Sequence, residues 1–315
     1  MDSTSVESDN YVQHTRLGLD PQTLKRLSQI RPGRGLAQIA LEWLAIAAAI
    51  VVSVRAAHPA VYVLAVFWIG ARQNGLATLM HEAVHYRLLR DRTWNDRIGE
   101  LLAAWPVLVT VHGFRQNHFA HHRHVNKPED PDWVRKQNAR FAYPKPAREI
   151  LAITLKYLLG FYALVELTRA NQAQVALPRR LRLLRLAFYV SVVVASVVFD
   201  FWLGLVMYWV VPLFTYFLWI IYVRGVAEHF AGIEHHEELL RKTRHIEANL
   251  LERLFLAPNY IHVHVAHHLY PSVPFYNLPE LHDRLMQLPD YAERAHTTQG
   301  YVRFLKECLG QDRAA

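Results

Sequence analysis

Cys308 is the only cysteine in this chain of 315 residues. A lone thiol excludes a disulfide within the chain and any iron–sulfur or zinc centre built on four cysteines. Acidic residues are also in short supply, with 27 Asp and Glu against 35 Lys and Arg, a net charge of +8. Nucleic acid is not an expected partner, because no recognised binding motif accompanies that charge. A basic face suits anionic lipid headgroups or an acidic electron-transfer protein instead. The opening MDSTSVESDN has no basic stretch followed by an apolar core, so a cleaved signal peptide is not expected, and the segment reads as disordered. No internal repeat of about 20 to 50 residues stands out.

What is present is concentrated in runs. Hydrophobic residues make up 52% of the chain, yet mean hydropathy is only +0.03, so the average hides local density. Leu36 to Val54, Pro59 to Gly70 continuing through Met80, Leu183 to Phe199 and Phe201 to Val223 approach the ~20 helical residues that cross a ~30 Å hydrocarbon core. Only a few residues, around Ala57-His58-Pro59 and Asp200, join the members of each pair. The expected fold is therefore an all-α integral membrane protein with four transmembrane helices as two hairpins, at about 36–54, 59–80, 183–199 and 201–223. A polar segment, 1–35, precedes one membrane domain, 36–315. Lys25, Arg26, Arg31 and Arg34, and a middle region carrying Arg87, Arg90, Arg115, Arg123, Arg135 and Lys136, place both termini and the middle on the cytoplasmic side by the positive-inside rule. Glu100 to Val111 is too short to span and is expected to lie at the interface or turn back. Ile150 to Leu167 contains Lys156 and Glu166 and reads as an interfacial or protein-buried helix.

Three histidine clusters then fall on that cytoplasmic side, forming a helical cap: HEAVH from His81, HFAHHRH from His118 and HVAHHLYP from His264. Residues three and four apart share one helix face, so His81 and His85, then His118, His121 and His122, then His264, His267 and His268 each form a ligand edge. A single histidine is more often a hydrogen-bonded core residue, but coincident spacing in three places is not. Eight imidazole nitrogens are too many for one ion, which argues for two metals. His124 and His262 break the spacing and suit surface or supporting positions. Neutral imidazoles leave metal charge uncompensated, so carboxylates beside the clusters, Glu82, Glu228, Asp130 and Asp132, are candidates to accept from the outer imidazole N–H. Asp130 and Asp132 equally suit turning the Pro128 to Pro131 loop. HEAVH also matches the zinc metalloprotease signature, with Glu82 as general base, but that reading leaves the other two clusters without a role. A metal transporter would place histidines at the helix centres, whereas these flank the helices.

Three boxes so placed around two hairpins resemble the membrane-bound fatty acid desaturase family. The stretches RGVAEHF at Arg224, HHRHVNKPEDPDW at His121 and APNYIHVHVAHHLYPSVPFYNLPELH at Ala257 look like those of bacterial members. The resemblance implies an oxidoreductase of the inner membrane that uses two iron ions and O2 to introduce a carbon–carbon double bond into a fatty acyl chain or related lipid. It implies the eight box histidines as iron ligands and His229, just past the last apolar run, as a ninth, with no catalytic group beyond the metal centre. With no fused cytochrome b5 domain expected, electrons come from an external donor such as ferredoxin. An apolar tunnel between helices would take the acyl chain, with Trp209, Phe214, Phe217 and Trp219 either lining it or facing lipid. Related boxes serve di-iron hydroxylases and ketolases, and desaturases of amino-acid-like metabolites of the rhizobitoxine type. Spacing does not separate these.

Overall fold

The computed structural model describes residues 17–172 and 177–311; the expectation for the opening segment lies outside them. Helix α1 (Pro32–Ala56) has proline in its first turn, where the missing N–H costs nothing. It ends where Ala57 turns left-handed, at φ 46°. The His58 side chain then accepts from Ala60 N and caps α2 (Pro59–Val84). The first hairpin thus forms where the sequence puts it, but α2 runs past Met80 and delivers His81 on its last turn.

Among the described residues, three helices are long and apolar enough to cross a membrane: α1, α3 (Arg179–Val198), and a continuous helical segment, α4 (Trp202–His229). The expected fourth, α2, falls short because Arg72-Gln73-Asn74 interrupts it. Those polar residues are buried inside protein and find partners there. Arg72 pairs with Glu42 of α1 at 3.0 Å, the Gln73 amide donates to Trp209 O, and Asn74 donates to Leu256 O while accepting from Arg224. Gly75 makes the pairing possible, since a Cβ there would stand 2.5 Å from the Glu42 carboxylate. Segment α4 carries two π-turns, Val206–Val210 and Leu213–Phe217, and extends past the expected Val223 to end at His229.

Other expectations change in detail. Glu100 to Val111 does turn back: a π-turn and a 3-10 turn end at Leu108, φ 64°, and the chain reverses into the box-two helix Val111–His124, capped by Thr110. Ile150 to Leu167 is not one helix. It divides into Ala147–Leu158 and Ala163–Gln172 around Gly160, φ 77°, and neither piece is long enough to span. The fold is also not purely helical. Arg244–Ile246 pairs in parallel with His296–Thr298, and Ile246 N donates to His262 O, tying this small sheet to the loop before box three.

One core cluster holds the boxes in place. Leu79, Met80, Ala83 and Val84 of α2, Trp105 and Val111 ahead of box two, and Val265, Ala266 and Leu269 of box three are all buried in it. Apolar residues between the histidines therefore lock the helices whose other faces carry imidazoles.

Candidate metal centre

His81 lies on the last turn of α2 and His85 just beyond it; His118, His121 and His122 share the box-two helix; His229 ends α4; and His264, His267 and His268 lie on the short helix His264–Leu269. The structure brings all nine together, but not box by box. His81, His85, His118, His122 and His267 form one buried group, and His121, His229, His264 and His268 form a second, with the donor atoms of each group within 4.8 Å of one another. Boxes two and three are each divided. His118 and His122, four apart, join the first group and His121, on the flank of the same face, the second, while His264 and His268, again four apart, separate from His267. The expectation that each box addresses one ion is corrected by the same helical geometry that suggested it.

The nitrogen distances bear on what the groups can hold. His118 Nε2 lies 2.8 Å from His81 Nε2, 2.8 Å from His85 Nε2 and 3.0 Å from His122 Nε2. One imidazole nitrogen carries either a proton or a lone pair and cannot satisfy three such neighbours by hydrogen bonding. In the second group, His264 Nε2 lies 2.8 Å from His229 Nε2 and 2.9 Å from His268 Nε2. Metal–nitrogen bonds of about 2.1 Å at right angles place adjacent donors about 3.0 Å apart. These contacts match an edge of a coordination shell, so the residues fit a pair of imidazole-bound ions.

The electrostatics agree. Burial, followed by the positive charge of neighbouring imidazoles, drives His118, His122, His264 and His268 well below the ordinary histidine range. Burial, His121 and Arg224 push His267 down to about 3. These five rings are neutral at physiological pH, the form that binds metal.

The four carboxylates divide. Asp130 Oδ2 accepts from His121 Nδ1 at 2.8 Å and from Asn126 N, while Oδ1 accepts from Asp132 N, so it orients a histidine and caps the next helix at once. Burial alone would raise its pKa, but the His121 hydrogen bond and charge more than offset this and lower it. Asp132 pairs with Arg135 and Lys136 rather than with any box residue. Glu82 accepts from Phe275 N at 2.9 Å, an engagement that argues against a general base facing a zinc-bound water. Glu228 pairs with Arg224, and its Oε2 stands 4.0 Å from His264 Nε2, on the donor side of that ring rather than behind it.

Two buried arginines went unnoticed as functional residues. Arg115, counted by its sequence as part of the positive-inside bias, instead donates to Ala83 O and Val84 O at the end of α2 and pairs with Asp96. Arg244 donates to Ala227 O, Phe230 O and Ala231 O at the end of α4 and pairs with Glu307. Each satisfies orphan carbonyls where a helix delivers its histidines. No local signal announces this role, since the partners lie 13 to 32 residues away.

A third group, His245, Glu247 and His282, also has its donor atoms close together. The two rings stack at 3.9 Å with planes only 13° apart. Lone pairs lie in the ring plane and do not converge from near-parallel rings, so no metal role is assigned to it.

A cavity of about 280 Å3 opens beside His81. Val107, Leu108, Leu213, Phe214 and Phe217 line one part, and Asp132, Arg135, Lys136, Glu166, Arg224 and Glu228 line another. Of the four candidate aromatics, Phe214 and Phe217 are on its wall; Trp209 and Trp219 are not among its lining residues.

Buried helices that present two adjacent all-imidazole groups beside a partly apolar cavity, in a chain with three membrane-length helices, define a membrane metalloprotein of the histidine-box kind. The sequence profile described as "Fatty acid desaturase" matches residues 57–300, and the chain belongs to the fatty acid desaturase family. It is 31% identical to the dihydrorhizobitoxine desaturase of Bradyrhizobium elkanii over 91% of this chain and 85% of that protein. It is 25% identical to the sn-1 oleoyl-lipid 12-desaturase of Anabaena variabilis over 69% and 67%. It is 24% identical to the temperature-sensitive sn-2 acyl-lipid omega-3 desaturase (ferredoxin), chloroplastic, of Arabidopsis thaliana over 65% and 52%. The chain is thus an integral membrane oxidoreductase, a desaturase with a buried histidine metal site.

Proposed function

We propose that this chain is an O2-dependent di-iron desaturase of the bacterial inner membrane, with residues 36–315 as one domain. One iron is held by His81, His85, His118, His122 and His267, and the other by His121, His229, His264 and His268. The observation that carries this reading is the set of Nε2 contacts converging on His118 and His264. In this reading α2 is the fourth crossing, shielded from lipid by the other helices, and the two hairpins place the histidine layer and both termini at the cytoplasmic face. The Lys and Arg distribution supports that orientation.

Two irons, when bound, supply the reduction of O2 and the oxidising power that removes hydrogen from unactivated carbons. In balance, –CH2–CH2– with O2, two electrons and two protons gives –CH=CH– and two waters. The electrons come from an external donor such as ferredoxin, which one relative's name includes. The chain's own residues position and exclude. Asp130 fixes the His121 tautomer by accepting from Nδ1. Arg115 and Arg244 hold the ends of α2 and α4, and the apolar wall of Val107, Leu213 and Phe217 keeps water from the reacting carbons. The substrate in this reading is a fatty acyl chain or related lipid. An amino-acid-like substrate is the second reading, favoured by the 31% relative.

The test is metal analysis of the purified chain together with mass spectrometry of total lipids and polar metabolites from a host that lacks the activity. Two irons per chain and a new alkene are expected. A single zinc, or an oxygenated product without an alkene as from a hydroxylase or ketolase, would overturn the assignment.

A further inference from the structure

We infer that Asn259 is a positioning residue that seats box three against box one, so that one short helix serves both imidazole groups. This rests on the two-ion reading and adds what holds box three in place. The box-three helix, His264–Leu269, has six residues, too few to hold together in isolation. Yet His264 and His268 are two of the four imidazoles in one group, and His267 is one of the five in the other. Its seat depends on what holds the chain ahead of it.

That chain is tied to α2. Arg72 donates to Leu254 O, and Asn74 to Leu256 O at 3.1 Å. Nearer the boxes, Asn259 Nδ2 donates to Gly75 O at 3.0 Å and to Thr78 Oγ1 at 2.7 Å, and the Thr78 hydroxyl donates to the same Gly75 carbonyl at 2.7 Å. Both N–H groups of the amide are used. One side chain therefore links a point five residues before His264 to a point three residues before His81. Apolar packing in the shared core is non-directional, whereas these bonds fix the register of one element on the other.

The backbone at the tie is strained. Asn259 and Tyr260 are both left-handed, at φ 55° and 56°. Asparagine enters that region more readily than other residues with a Cβ, but a bulky aromatic does not. Two such residues in succession persist where the surroundings over-determine them. Beyond them the loop is held again, by His262, whose O accepts from Ile246 N and whose Nδ1 lies 2.8 Å from Ile246 O. That second tie runs to the small sheet, while the first runs to the helix of box one.

The experiment uses the full iron-loaded chain in lipid nanodiscs. Asn259→Gly keeps the left-handed backbone and deletes the amide; Thr78→Val deletes the partner hydroxyl, and Thr78→Ser keeps it. Unfolding temperature, Mössbauer spectrum and release of iron to a chelator are measured for each. Asn259→Gly is expected to release one of its two irons about tenfold faster than the unaltered chain, at the low end for residues that orient ligands, with one of two Mössbauer components altered. The iron lost first is the one that takes half its imidazoles from box three. Thr78→Val shows the same effect more weakly, the double variant loses no more than Asn259→Gly alone because the two share one contact, and Thr78→Ser releases iron like the unaltered chain. If Asn259→Gly does not fold, the contrast between Thr78→Val and Thr78→Ser decides by the same measures. Unchanged release and spectrum, or both irons released equally in step with a fallen unfolding temperature, overturns the inference and leaves the desaturase reading standing. An unaltered chain that does not hold two irons defeats both.

Discussion

Helices α2 and α3 are both long enough to cross a bilayer, yet they are made for different surroundings. In α3 only 6% of the apolar window is buried, and Val190, Val194 and Val198 point outward. In α2 every residue from Ile69 to Met80 is buried, among them Arg72, Gln73, Asn74 and Thr78. Hydropathy therefore reports contact with lipid rather than position in the bundle, and the helix that carries the first box looks less membranous because protein surrounds it.

The sharpest way to break this contrast is to strand a charge in α2. Glu42→Ala leaves Arg72 buried without its carboxylate and is expected to cost about 3–5 kcal/mol, seen as a large fall in folded protein and in the unfolding temperature in detergent. Replacing both, Glu42→Leu with Arg72→Met, recovers much of that loss if burial rather than the pair itself is the issue. Next in size, Arg244→Met leaves three carbonyls at the end of α4 without their donor and is expected to cost about 2–3 kcal/mol together with iron content, read by unfolding and metal analysis. Smaller again, Asp130→Asn is expected to weaken metal retention about 10- to 100-fold under chelator challenge, while Asp132→Asn, which touches no box histidine, changes it far less; equal losses would deny Asp130 its orienting role. On the other side of the comparison, Val194→Ala in α3 is expected to shift stability by less than about 0.5 kcal/mol.

A separate effect concerns acid. Burial and the charge of His245 push His282 down to about 4, below its unfolded value of about 6.5. A depressed histidine favours folding above the unfolded pKa, and that advantage is lost as pH falls from about 6.5 toward 4. Glu247, held down to about 2 by hydrogen bonding to His245 against the cost of burial, adds to the loss at still lower pH. His282→Gln should flatten the stability profile between pH 6.5 and 4; an unchanged slope in pH-dependent unfolding would refute that account.

What was legible in the sequence was local. Box spacing, the Ala57-His58 turn and the apolar runs each depend on neighbours a few residues apart, and the structure brings together all nine predicted histidines. What was not legible depends on distant partners. Nothing near Arg115 says that it will bond carbonyls 31 and 32 residues earlier, and nothing near Glu42 says that Gly75 will admit it. Polar residues in α2 lowered its hydropathy without revealing that other chain segments would supply their partners. The break at Gly160 was written in a single glycine within a stretch whose composition read as one helix.

The box-two helix spans 14 residues and contributes to both imidazole groups from adjacent flanks of one face, roughly 80° apart around a short cylinder. Turning that cylinder moves His118, His121 and His122 together, so neither set can be adjusted there without disturbing its neighbour. The gap between the two sets is therefore inherited from the pitch of an α-helix, which makes it far stiffer than any spacing a loop could enforce.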